Sequence, residues 1–174
     1  MICITFFLRI IHELAVRGHE VAITHPSNST IRDRVTLSLC KTISGQDTVS
    51  NSIPSFYKSV KFHKEMTPMQ HFDVIFMRAN PPMDPLVLNF LDSIKDDVFI
   101  LNAVDGLRET NNKIYTAAYY DPKRELIPAT HVSKNIDYLL RIIEESENDK
   151  MILKPLDGYG GSGVIIIEKS AMHN

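Results

Sequence analysis

The stretch "MILKPLDGYGGSGVIIIEK", residues 151–169, sets a lysine ahead of four glycines and a serine, between two apolar runs. Glycines carry no Cβ, so several backbone N–H groups can approach one anion and point at it together. Lys154 precedes Pro155, which biases its backbone to extended geometry, and strand alternation then puts Lys154 and Ile152 on one face, Met151 and Leu153 on the other. A lysine in so apolar a strand wants an anion, and an ammonium beside a ring of amides suits phosphate. Arg78 closes the apolar run "FDVIFMR", just before a turn stiffened by Pro81 and Pro82. Ligands bind at strand ends in open α/β sheets, so its guanidinium could pair with a carboxylate; an ordinary salt bridge is an equal alternative. Lys113, in "NNK", reads by itself as a solvated helix lysine.

Gly158, Gly160 and Gly163 satisfy GxGxxG, but that dinucleotide fingerprint needs a helix to start at the loop. Here "VIIIEK" follows, and its β-branched run predicts a strand. A dinucleotide-binding dehydrogenase domain would instead need a helix at residues 164–170. The Walker A pattern lacks its Gly-Lys-Ser/Thr, and in protein kinases the lysine follows the glycine loop rather than preceding it. What remains is strand, glycine-rich turn, strand. A surface hairpin with a snorkelling lysine is the bland alternative, although "DGYGGSG" holds more glycine than turning requires.

The elements that must position these residues alternate. "FLRIIHELAVRGHEVAIT" spaces Leu8, Ile11, Leu14 and Ala15 as a helix that Gly18 caps before a strand at 21–24. Residues 72–78 form a strand, "ANPPMDP" a turn, "LVLNFLDSI" a helix, and 98–102 another strand, which predicts an open α/β sheet, parallel in large part. Further on come a helix in "NNKIYTAAYY", a short strand at "ATHV", a helix over "IDYLLRIIEESE" with Ser133 as its N-cap, and the strand "MILKP". "HPSNST" and "SGQDTVSNS" read as loops. A domain boundary is placed near residues 103–108, at "DG".

With 44% hydrophobic and 23% charged residues the 174-residue chain has an ordinary globular composition. A net charge of −2 and no lysine–arginine block exclude a broad nucleic-acid surface, so any anion site is local. Cys3 and Cys40 are too few for a disulfide framework and read as two buried thiols in a reducing cytoplasm. "MICITFFLRIIHEL" carries Arg9 and Glu13 and reads as neither signal peptide nor membrane span.

"ILKPLDGYGGSGV" resembles the phosphate-lid hairpin of prokaryotic glutathione synthetase, an ATP-grasp ligase, and "FDVIFMRANPPMDP" and "NNKIYTAAY" resemble two further stretches of that family in the same order. The resemblance runs from about residue 5 to the C-terminus and is weakest across residues 25–65. It implies an α/β fold: a Rossmann-like pre-ATP-grasp domain at 1–105, then the first ATP-grasp subdomain at 106–174, truncated at the glycine-rich β-hairpin. Carried over residue by residue, it makes Lys113 and Lys154 contacts to ATP phosphate and Asp157, Gly158, Tyr159, Gly160, Gly161, Ser162 and Gly163 the lid. Arg78 would bind substrate. Asn80 stands where the family usually carries an acidic residue, so no role is carried to it. Two lysines and a ring of N–H donors would neutralise a triphosphate and the charge that develops as its γ-phosphoryl moves.

The implied reaction ligates glycine to γ-glutamylcysteine through an acyl phosphate, with Mg2+ bridging the phosphates. No catalytic residue is assigned here. The metal ligands are expected beyond residue 174, because Asp84, Asp105, Asp157 and Glu168 show no spacing for a metal site and read as turn or surface carboxylates. The chain is therefore expected to be a fragment that cannot complete ligation alone, clipped near its first strand and open to self-association. Another ATP-grasp carboxylate–amine ligase or a non-catalytic nucleotide-binding remnant are the alternatives.

Overall fold

The computed structural model describes residues 2–44 and 49–171, with side chains from residue 7 onward. The fold is mixed α/β: helices α1 (Ile2–Val16), α2 (Ile53–Ser59), α3 (Pro85–Asp92), α4 (Val104–Glu109), α5 (Ile114–Ala118) and α6 (Ile136–Glu145), and strands β1 (Ala22–Ile23), β2 (Ser29–Arg32), β3 (Val35–Ser44), β4 (Lys61–Pro68), β5 (Val74–Phe76), β6 (Phe99–Leu101), β7 (Lys150–Leu153) and β8 (Ile165–Glu168). Packing divides them into two compact units, one of residues Met1–Ile75 with Asn89–Ile100, the other of Phe76–Leu88 with Leu101–Asn174.

In the first unit α1 ends as the sequence predicts. Gly18 takes φ 83°, its N–H bonds to Ala15 O, and the N–H of His19 reaches back to Leu14 O, so two of the helix's last carbonyls are satisfied. Ile11 and Ala15 then pack with Val21, Ile43 and Phe56 in the core, flanked by Phe7, Leu8 and Ile23. Leu14 stays 37% exposed at the edge of that stripe.

The main sheet corrects the expectation of a largely parallel one. β3 is ten residues long and pairs antiparallel with β1, β2 and β4, running from Leu37 opposite Pro68 to Ser44 opposite Lys61. Strands β2 and β3 thus lie within residues 25–65, where the resemblance is weakest, and β2 begins at the end of "HPSNST", which reads as a loop in the sequence. β3 buries one face from Thr36 to Thr42 and carries hydroxyls there, where an apolar strand would carry valines. Thr36, Ser38 and Thr42 are buried, and Thr36 and Ser38 satisfy their hydroxyls against Ser93 and Thr24, each at 2.7 Å. Val35, Leu37, Leu39 and Ile43 do alternate at strand spacing, but the alternation does not show that the hydroxyl-bearing face is the buried one. Cys40 lies buried on the same strand, and burial pushes its thiol pKa up. The side chain of Cys3 and residues 45–48 of "SGQDTVSNS" lie outside the described residues.

β5 and β6 form a separate two-stranded sheet. Phe99 N–H donates to Asp73 O and Met77 N–H to Leu101 O, bonds that advance together along both strands and so run parallel. Between them α3 begins at Pro85, with Asp84 ahead of it: the Asp84 carboxylate accepts from Leu86 N–H at 2.8 Å and its carbonyl from Val87 N–H at 2.9 Å.

In the second unit "NNKIYTAAYY" is helical only over Ile114–Ala118. Tyr119 is already extended. "ATHV" is not a strand; it follows a loop gathered by Asp121, whose carboxylate accepts from the N–H groups of Ile127 and Leu126 at 2.9 Å each and is held below the usual carboxylate pKa by them. The N-cap of α6 is Asn135 rather than Ser133: Asn135 Oδ1 accepts from Tyr138 N–H, while Ser133 Oγ accepts from Asn135 N–H one step earlier. Both residue types cap well, and the one three residues before the orphan N–H wins. Asn135→Ala is expected to destabilise this unit by about 1 kcal/mol and Ser133→Ala by less, read as urea midpoints; the reverse order would return the cap to Ser133.

Candidate functional site

β7 and β8 pair antiparallel, from Lys150 opposite Glu168 to Leu153 opposite Ile165, and the glycine loop joins them. The strand after the loop rejects the dinucleotide fingerprint, since residues 165–168 are extended and only a 3-10 turn, Lys169–Ala171, follows. Gly158, Gly160, Gly161 and Gly163 all take positive φ, at 123°, 64°, 80° and 71°. Ser162 N–H bonds to Tyr159 O and Val164 N–H to Gly161 O, winding the loop in two successive turns. The backbone hydrogen bonds among the described residues use none of the N–H groups of Tyr159, Gly160 and Gly161. These are donors of the kind that cradle a phosphate.

Lys113 is brought to this loop from 43 residues upstream. Its backbone N–H donates to Leu156 O at 3.2 Å, and its half-buried ammonium donates to Leu156 O at 3.3 Å and to Gly158 O at 2.9 Å. The solvated-lysine reading of Lys113 does not hold: the cation sits against the first glycine of the loop. Lys154 is exposed just beyond β7, and no hydrogen bond or ion pair among the described residues engages its ammonium. The strand it follows is less buried than its composition suggests, with Ile152 at 61% exposure and Ile166, directly opposite, at 64%. Asp157, Tyr159 and Ser162 are exposed on the loop as well.

Arg78 is exposed, and its guanidinium lies over the Phe76 ring at 5.4 Å from the centroid, a cation–π contact that orients it. Two residues that sequence reasoning passed over tie this region together. Asn111 bonds to both backbone polar groups of Met83, and Asn112 Oδ1 accepts from Ile114 N–H at the start of α5. The available signal was the doubled asparagine ahead of Lys113, since asparagines in turns satisfy backbone groups with their side chains.

The acidic candidates are otherwise employed. Asp84 caps α3, Glu168 pairs with Lys150 across the strands at 2.8 Å, and Asp105 lies in the first turn of α4. Among the described residues no group of three or more His, Cys, Asp or Glu is gathered to hold a metal ion. These residues do not fit a magnesium site, and no step below passes through one. No helix among the described residues is long and apolar enough to cross a membrane.

Residues 6–108 match the family model described as prokaryotic glutathione synthetase, N-terminal domain, and residues 112–174 match that of the prokaryotic glutathione synthetase ATP-grasp domain. The chain is similar to glutathione synthetases from Gloeobacter violaceus, with 27% identity over 167 residues covering 90% of this chain and 47% of the relative, and from Vibrio cholerae, with 28% over 157 residues covering 88% and 46%. It is also similar to the Yersinia pestis enzyme of that name, with 33% identity over 106 residues covering 59% of this chain and 31% of the relative. The chain thus spans less than half the length of these relatives. With both domain types matched in order over nearly its whole length, the chain belongs to the prokaryotic glutathione synthetase family.

Proposed function

We propose that the protein carrying this chain ligates glycine to γ-glutamylcysteine with ATP, and that this stretch provides the phosphate-holding lid and one side of the peptide site. The observation that carries the reading is Lys113, a cation held by main-chain and side-chain bonds against Leu156 and Gly158 at the root of a loop of positive-φ glycines. Lys113 and Lys154 neutralise the ATP phosphates, and the amides of residues 157–163 close over them. Arg78 takes a carboxylate of the dipeptide. The dipeptide's cysteinyl carboxylate attacks the γ-phosphorus, ADP leaves, and the resulting acyl phosphate is attacked by the glycine amine, which expels inorganic phosphate and forms the amide. Phosphorylation converts a poor leaving oxygen into a good one, and a closed lid keeps water from the activated acyl group.

For the domain plan we assign a Rossmann-like domain to residues 1–105 and the start of the ATP-grasp domain to 106–174. The ends of the two family matches, at 108 and 112, support that boundary, and the parallel β5–α3–β6 succession supports the Rossmann-like reading. Packing assigns Phe76–Leu88 to the second unit, which accords with Arg78 serving the same site as the lid. The same family reading assigns the protein to the cytoplasm, and the exposed Ile152 and Ile166 are a face on which copies could associate.

ATP binding tests the reading. Lys154→Ala removes one charge–phosphate contact at an exposed position, and affinity measured by calorimetry is expected to fall about tenfold. Equal affinity in the two proteins would remove Lys154 from the site.

A further inference from the structure

We infer that Asn111 is a positioning residue, whose side-chain amide fixes the turn that follows Arg78 to the same tripeptide that grips the glycine loop. Asn111 Oδ1 accepts from Met83 N–H at 2.6 Å, and Asn111 Nδ2 donates to Met83 O at 2.8 Å. One amide thus answers both polar groups of one residue, as a neighbouring strand would. Only this orientation of the amide works, because the flipped one would set donor against donor and acceptor against acceptor. Met83 is buried, so its N–H and C=O need these partners.

Residues 77–84 belong to no helix or strand, and Pro81 and Pro82 have no N–H to give. Two fixtures stand at the far end of this turn: Asp84 capping α3, and Asn111 on Met83. Asn112 then sets the start of α5, and Lys113 reaches Leu156 and Gly158 with its N–H and its ammonium. Three consecutive residues, 111–113, therefore span from a segment 28 residues upstream to a loop 45 residues downstream, all within one compact unit. Under the ligase reading, on which this inference rests, the two things so joined are the dipeptide's carboxylate-binding turn and the phosphate lid. A reacting carboxylate must meet the γ-phosphorus within a narrow geometry, and an ångström of misplacement costs about 100-fold in rate. Asn111 touches neither substrate; it sets the distance between the groups that do.

The test uses the protein expressed with its whole reading frame, as wild type, Asn111→Ala and Asn111→Asp. Amide exchange is read at Met83, and steady-state kinetics are run with γ-glutamylcysteine and ATP varied separately. Asn111→Ala is expected to speed exchange at Met83 and to raise the dipeptide KM about tenfold, the factor of roughly one lost hydrogen bond, with the ATP KM within about twofold of wild type. Asn111→Asp keeps the acceptor for Met83 N–H but sets a carboxylate against Met83 O, so it is expected to slow Met83 exchange relative to the alanine variant without restoring the dipeptide KM. Unchanged Met83 exchange, or a lowered Tm with both KM values moved alike or unmoved, would overturn the inference. A wild-type protein that forms no peptide product would sink the ligase reading instead, while the exchange arm still reports whether Asn111 holds Met83.

Discussion

Gly163→Ala is expected to disrupt the glycine loop more than the same change at Gly160 or Gly161. Gly163 has φ 71°, where an L side chain costs about 1–2 kcal/mol, and a Cβ there would lie 2.8 Å from Cγ of Pro155. The obstacle is a proline ring, which cannot swing aside as a long side chain can, so the contact adds an overpacking cost of about 1–3 kcal/mol. The two together come to roughly 3 kcal/mol, enough to favour an opened loop. Pro155 follows Lys154 directly, so relief of the clash moves the backbone of the lysine assigned to phosphate. Gly160 and Gly161 provide the comparison: both have positive φ, yet nothing lies within 4 Å of their Cβ positions, so alanine there meets only the backbone cost of about 1–2 kcal/mol. Amide exchange in β7 and β8 and ATP affinity should fall out in that order, with Gly163→Ala well beyond the other two. Equal effects at all three positions would mean that the loop does not close against Pro155.

That contact also marks what the sequence could and could not disclose. Glycine spacing and the β-branched run after it were sufficient to reject a dinucleotide fold, because "VIIIEK" has a local preference that the structure keeps as β8. The Gly18 cap and the turn between Arg78 and α3 were legible for the same reason: glycine, proline and aspartate each act on their own backbone. What failed depended on partners far along the chain. β3 carries a local apolar alternation, but the burial of its hydroxyl face depends on Ser93 and Thr24 meeting Thr36 and Ser38, which spacing along one segment cannot reveal. "ATHV" has the composition of a strand but pairs with no neighbour among the described residues; the Ser133 cap failed locally instead, to a competitor two residues away. The site divides in the same way. The lid was visible as a local pattern, and Lys113 was marked by family resemblance alone until its bonds to Leu156 and Gly158 gave it a place. The doubled asparagine marks Asn111 as a turn residue but not its partner, since its two bonds go to the backbone of a methionine 28 residues earlier.

Lys113→Ala is expected to be more damaging than Lys154→Ala, although both lysines are assigned to phosphate. Lys154 is exposed, and no hydrogen bond or ion pair among the described residues engages its ammonium, so its loss removes one charge from the ligand and breaks no such bond. Lys113 also donates to Leu156 O and Gly158 O, and charge-assisted bonds of this kind contribute about 1.5–3 kcal/mol where they are shielded from water. Alanine leaves Gly158 O at the root of the loop without this donor and Leu156 O with only the backbone bond from residue 113. Loop order and phosphate charge are thus lost together, and ATP affinity should fall on the order of 30- to 100-fold, equivalent to about 2–3 kcal/mol. Amide exchange in residues 156–164 should quicken even with no nucleotide present, which Lys154→Ala should not cause. The double variant then distinguishes the two roles. If Lys113 acts partly by ordering the loop over which Lys154 works, the combined loss is smaller than the product of the single losses, since a disordered lid has less for Lys154 to complete. Strictly multiplicative losses, with slow exchange kept in Lys113→Ala, would make Lys113 a second phosphate contact and nothing more.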